Sequence, residues 1–168
     1  MNGDYKQRGE IMKKVIVIFI FITVILTCHN FIFAHYNGRI TEQELYKRVE
    51  QIFYKRSNIW NNFLIGRYTS LSQLEKELRE IVTDPLFKSD MKMFKQMLSI
   101  PTSYEGISDV SILDIHAVKN SFERAVLEVL ILWEIEGYEN NYNEEIEYIV
   151  EMKRDRGNWL LSDYKINK

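Results

Sequence analysis

The sequence predicts an α+β domain in which three N-terminal helices pack on a four-stranded antiparallel sheet. Three observations predict it. Apolar residues recur at helical spacing between Leu45 and Leu98. After Val110 the period changes to alternation, with β-branched and aromatic residues prominent. The alternating runs are separated by polar stretches too short for the crossovers that parallel strands need.

A different kind of segment precedes the domain. Lys13 and Lys14 are followed by an uncharged span from Val15 to Ala34, close to the length a bilayer core requires. Lys6 and Arg8 also lie before it, and the first charge after it is Arg39. The positive-inside bias then places residues 1–14 in the cytoplasm and the domain, 40–168, outside. Residues 15–34 have three fates open to them. A signal anchor needs the whole span and must accommodate His29 and Asn30 near its outer end. A cleaved signal peptide would use Ile32-Phe33-Ala34, small at the last position but bulky two before it. A lipoprotein would use Cys28, with Thr27 where a smaller residue is expected. The expected location is the cell membrane, single-pass with the domain outside, or the secreted fraction.

Within the domain, Thr41-Glu-Gln-Glu44 has the pattern of a capping box, opening a helix that runs to Leu64 with Gly66 as its stop. Ser70 or Ser72 opens a second helix with the stripe Leu71, Leu74, Leu78, Ile81 and Val82, closed by Asp84-Pro85. A third runs from Leu86 to Leu98 and carries Phe87, Met91, Phe94 and Met97. The first strand is expected over Val110–Val118, with a tight connection at Lys119-Asn120. Phe122 to Glu136 forms the next, with Ala125, Leu127, Val129, Ile131, Trp133 and Ile135 on one face. Gly137 to Asn143 is a polar loop. Glu145 to Arg154 turns Ile146, Tyr148, Val150 and Met152 inward, Asp155-Arg-Gly-Asn158 is a turn, and Trp159 to Ile166 ends the sheet.

Composition removes several functions. Hydrophobic residues make up 46%, enough for a core, and the net charge of −2 carries no nucleic-acid signature. The charge is uneven: residues 35–104 hold 11 basic and 8 acidic side chains, residues 105–168 hold 7 and 14. The acidic half is either a solvated face or a docking surface. Cys28 is the single cysteine and lies outside the domain, so the domain has no disulfide and no thiolate metal site. His29, His35 and His116 are too few and too scattered for zinc. No P-loop, dinucleotide fingerprint or nucleophile elbow is present, and no cofactor is expected.

The last hairpin, Tyr148-Ile-Val-Glu-Met-Lys-Arg-Asp-Arg-Gly-Asn-Trp-Leu-Leu-Ser-Asp-Tyr164, is similar to the ending common in the nuclear transport factor 2-like superfamily. With the helices before it, the region 41–167 resembles that cone fold, which implies a strongly curved sheet and a hollow between sheet and helices. The short strand pair usual between the second and third helices is not evident. With the N-terminal segment, the layout also resembles outward-facing domains of conjugation and type IV secretion scaffolds, which are adaptor modules.

Enzymes of the cone fold place Asp, His or Tyr inside the cone. Asp114 and His116, two apart on one strand, are the nearest candidates for a general-base pair, and Tyr164 for a hydrogen-bond donor. Against this, Leu113, Ile115 and Ala117 look like the core side of that strand, which would leave Asp114 and His116 exposed. Glu139-Asn-Asn-Tyr-Asn-Glu-Glu145 is rich in oxygen ligands but lacks the spacing and glycine of a calcium loop, and reads as a hairpin tip. Lys55-Arg56 with Tyr54 and Trp60 is a weak basic-aromatic patch. The favoured expectation is a non-catalytic extracytoplasmic binding or assembly module, partnered by another protein or a second copy. Its interface would be Val126, Glu128, Leu130, Leu132 and Glu134 on one face of the second strand. The alternative is a small-molecule pocket with or without isomerase-like or hydrolytic chemistry.

Overall fold

The computed structural model describes residues 40–99 and 104–168; the apolar span at 15–34 and Pro101 lie outside the described residues. The described chain is α+β, with three helices followed by a four-stranded antiparallel open sheet in the order β1-β2-β3-β4.

Helix α1 spans Glu42–Leu64 and opens on the expected box: the Glu44 amide donates to Thr41 Oγ1, and Glu44 Oε2 accepts from the Thr41 amide. It ends as a Schellman motif. Gly66 takes φ +69°, its amide donates to Phe63 O, and the Arg67 amide donates to Asn62 O. Leu45, Val49, Ile52, Phe53 and Ile59 form its buried stripe.

Helix α2 is shorter than the apolar periodicity predicts. It spans Leu71–Leu78, capped by Ser70. Ile81 and Val82, which continue the helical stripe in sequence, fall in the turn that ends the helix, their amides donating to Leu78 O, and lie beside the last strand. Val82 forms a parallel bridge with Leu161, the Leu161 amide donates to Ile81 O, and the Thr83 amide donates to Leu161 O. This segment thus satisfies the edge-facing backbone groups of Leu161 and covers part of the open edge of the sheet. Helix α3 spans Leu86–Ser99 and buries Phe87, Met91, Phe94 and Met97.

Strand β1 spans Gly106–Asn120, longer at both ends than the alternation indicates. Its register slips three times against β2, leaving Ser108, Leu113 and Val118 as extra residues. The alternation therefore misplaces Leu113, which is 48% exposed, while Ile115 and Ala117 do face the core. The connection to β2 falls at Ser121–Glu123 and not at Lys119-Asn120, which still pair with Val126 and Ala125. Ser121 holds that turn, its amide donating to Arg124 O and its hydroxyl accepting from the Arg124 amide.

Strand β2 spans Arg124–Glu136 and β3 spans Asn141–Asp155, so the loop before β3 is shorter than predicted. Strand β4 spans Asn158–Ile166. The β3–β4 turn has positive φ at both Arg156 and Gly157, the type I′ pattern that matches strand twist. Ala125, Leu127, Val129 and Ile131 of β2, Val150 and Met152 of β3 and Leu161 of β4 are fully buried with the α1 stripe. Phe53 lies at the centre, with the Trp133, Tyr148 and Tyr164 rings 6.0–6.5 Å away.

Candidate functional site

The two faces of the sheet offer different chemistry. On the inner face, side chains chiefly of α1, α3 and β4, with Leu78 of α2, Ile107 of β1, Trp133 of β2 and Tyr148 of β3, bound a hollow of about 610 Å³. Its walls include the aromatic side chains Trp60, Phe94, Trp133, Tyr148 and Tyr164. Its polar feature is an ion pair: Arg56 of α1 donates to Asp90 of α3 from Nη2 at 2.6 Å and from Nε at 3.3 Å. The Arg56 guanidinium also sits 4.7 Å from the centre of the Tyr164 ring. Both charges are largely withdrawn from water, with side-chain exposures of 18% and 6%. Burial works against the Arg56 charge, but Tyr164 and Asp90 more than offset it and hold the guanidinium above its ordinary value. Burial pushes the Asp90 carboxyl up, opposed by Arg56. Burial likewise raises the Tyr148 phenol.

Sequence reasoning placed Arg56 in a basic-aromatic patch with Lys55. The structure separates the two: Lys55 pairs with Glu80 at the surface, while Arg56 turns inward. Asp90 was not foreseen. The available signal was its position between Phe87 and Phe94, where an acid interrupts an apolar stripe and requires a partner.

On the outer face, β2 presents Val126, Glu128, Leu130, Leu132 and Glu134, all half-buried between the flanking strands. Pairing puts Asp114 opposite Leu130 and His116 opposite Glu128, so both belong to this face. They are 59% and 70% exposed and bond each other, His116 Nε2 to Asp114 Oδ2 at 3.0 Å. Asp114 Oδ1 also accepts from the Ile115 amide. Tyr164 lies on the inner face instead, 5.5 Å from Tyr148. The three catalytic candidates are therefore divided: a carboxylate–imidazole pair in solvent and a phenol in the hollow. The loop before β3 gathers no ligand set; among the described residues no group of three or more His, Cys, Asp or Glu could hold a metal ion.

Charge on the outer face is graded along the strands. One end carries Asp109, Glu134 and Glu145, the middle Glu128 and His116, and the turn end Lys119, Arg124 and Lys153. At that end Arg124 pairs with Glu151, which Lys153 also approaches at 3.5 Å. Burial raises the Glu151 carboxyl, but hydrogen bonds from Arg124 and Ser162 outweigh it and hold the group below its ordinary value.

No protein-family model and no curated protein matches the chain. Among solved structures it is similar to the intermembrane space region of the chloroplast protein ARC6, at 13% identity and a TM-score of 0.43, covering 71% of this chain and 94% of that one. It is also similar to RPA3114, a SEC-C motif containing protein from Rhodopseudomonas palustris, at 9% identity and a TM-score of 0.39, covering 65% and 73%. Likenesses at this level carry no argument about function. Among the described residues no helix is long and apolar enough to cross a membrane.

Proposed function

We propose that this protein is a non-catalytic binding or assembly module, held outside the cell membrane by residues 15–34 or released after their removal. The observation that carries it is the outer face of β2. Val126, Leu130 and Leu132 are half-buried apolar side chains set among charges, with Lys119 and Glu151 beside Val126, Asp114 and Glu147 beside Leu130, and Glu145 beside Leu132, and no described element of the chain packs over them. An apolar centre with a charged rim is the anatomy of a specific protein interface. Exposure of the Asp114–His116 pair supports the same reading. A general base needs a bounded site that excludes water, and this pair stands in solvent. The partner is another protein or a second copy of the chain. The cone-fold likeness belongs to this reading: helices lead into a bulged antiparallel meander, and the chain ends on the Gly157–Trp159 hairpin.

Cross-linking in intact cells tests the interface. Glu128→Lys with Glu134→Lys is expected to abolish the adducts; if every cross-linked partner persists, this face is not the interface. Protease added to wall-free cells tests topology: an anchored domain is digested, and a protein found only in protected cytosol contradicts the reading.

A specific observation favours a second reading, a small-molecule site in the hollow. Arg56 and Asp90 neutralise each other within it, five aromatic rings line it beside aliphatic side chains, and the exposed Asp163 and Lys165 complete its lining, so its ligand would be a largely apolar, aromatic molecule. Narrowing of the Trp and Tyr side-chain resonances on titrating a neutral aromatic library, lost in Tyr164→Ala, would support it.

A further inference from the structure

The two ends of the sheet differ as sharply as its faces, and the difference bears on how the domain sits at a bilayer. The direction of α1 fixes which end is which. Near its start, Arg48 Nε donates to Trp159 O. Near its finish, Asn61 Nδ2 donates to Ile107 O and Trp60 Nε1 donates to Glu105 O. The chain therefore enters the domain at Ile40 on the end that carries the turns Ser121–Glu123 and Arg156-Gly157. Five residues separate Ala34 from Ile40, a reach of at most about 22 Å even when extended.

That turn end has the composition of a headgroup-contacting surface. Phe122 and Val118 are 53% and 58% exposed at the tip of the β1–β2 hairpin. The Arg154 guanidinium lies 4.7 Å from the centre of the Phe122 ring. Lys119, Arg124, Lys153 and Arg156 surround them, offset in part by Glu42, Glu123 and Asp155 and by Glu151, which pairs with Arg124 and lies near Lys153. The opposite end also exposes an aromatic, Tyr138 at 93%, but sets it among Glu136, Glu139, Glu134 and Asp109. An anionic lipid surface would repel that end and accept the first. An exposed ring among cations inserts at the headgroup level, where the apolar body and the charges are both satisfied.

We propose that the turn end, centred on Phe122 and Val118, docks on the anionic lipid surface next to the anchor. Docking would hold the strands upright and point the acidic end away from the membrane. The inference rests on the tethered reading above, and the test separates the two. The full chain is reconstituted into vesicles of phosphatidylglycerol or of phosphatidylcholine. Cys28→Ser removes the native thiol, and single cysteines are introduced as Asn158→Cys at the turn end, Tyr138→Cys at the acidic end or Gln96→Cys on α3. Each carries a fluorophore quenched by headgroup-level spin-labelled lipid.

The expected result is flotation with both vesicles, with quenching at position 158 alone and only in phosphatidylglycerol. Lys119→Gln with Arg156→Asn should lower the docked-to-free ratio on the order of twentyfold, about fivefold per cation. Phe122→Ser should lower it further. Failure to float overturns the anchor and the docking together. Flotation with all three positions equally unquenched overturns docking alone. So does quenching at position 96, which would lay the domain on Lys88, Lys92 and Lys95 of α3. Equal quenching at position 158 in the two lipids overturns the electrostatic selection.

Discussion

The two faces of strand β2 are built from one run of alternating residues, yet they differ in burial and in charge. Ala125, Leu127, Val129 and Ile131 have no exposed surface and belong to one buried cluster with Phe53, Ile52 and Val49 of α1. Val126, Glu128, Leu130, Leu132 and Glu134 are only half-covered, by neighbours within the sheet. An inner face hydrophobic without interruption stabilises the fold. An outer face that mixes Val126, Leu130 and Leu132 with Glu128 and Glu134 has less to add to folding, and it is the face proposed for recognition. The comparison teaches that energetic weight and proposed function lie on different sides of one strand, and substitutions can test whether they separate.

The largest effect is expected inside. Trp159→Ala removes a ring that is 6% exposed beside the α1 start, and should cost about 3–5 kcal/mol by denaturant unfolding. Asp90→Ala leaves Arg56 buried without its partner and should cost about 3 kcal/mol. Replacing both residues by apolar side chains should recover much of that loss, which distinguishes an uncompensated charge from lost packing. Thr41→Ala removes half of the capping box, and about 1 kcal/mol is expected. On the outer face, Asp114→Ala and His116→Ala should stay within about 0.5 kcal/mol, since both side chains are exposed. A larger loss at either would blur the division between the faces.

Glu151 gives the comparison a pH axis. Its carboxyl is held below its ordinary value by hydrogen bonds from Arg124 and Ser162 against the opposing effect of burial. A depressed carboxyl stabilises the fold above its unfolded value, about 4.3, and that contribution is lost as pH falls through the folded value. The melting temperature of Glu151→Gln should therefore fall less steeply than that of the native chain below about pH 4.3. Parallel curves would mean that the Arg124 pair contributes nothing.

Much of the fold was legible because its signals are local. Thr41 with Glu44, Gly66, and the Asp155–Asn158 turn each place a boundary through backbone chemistry within a few residues. The errors arise where distant contacts decide. Ile81 and Val82 fit the helical stripe of α2, and only the backbone of Leu161 draws them out of it. The three extra residues of β1 leave no mark on composition, so alternation placed Leu113 on the wrong face. The site was less legible than the fold. The sequence indicated that Asp114 and His116 share a face, but not that Arg56 and Asp90 meet across the hollow from separate helices.

The central claim is that the outer face of β2 meets a protein partner while the exposed face of α1 does not. Photo-crosslinkers at Leu130 and at Tyr54, an exposed position on α1, compare the two in intact cells. The account predicts a discrete adduct from Leu130 and none from Tyr54. Adducts of equal yield from both positions, or none from Leu130, would contradict it.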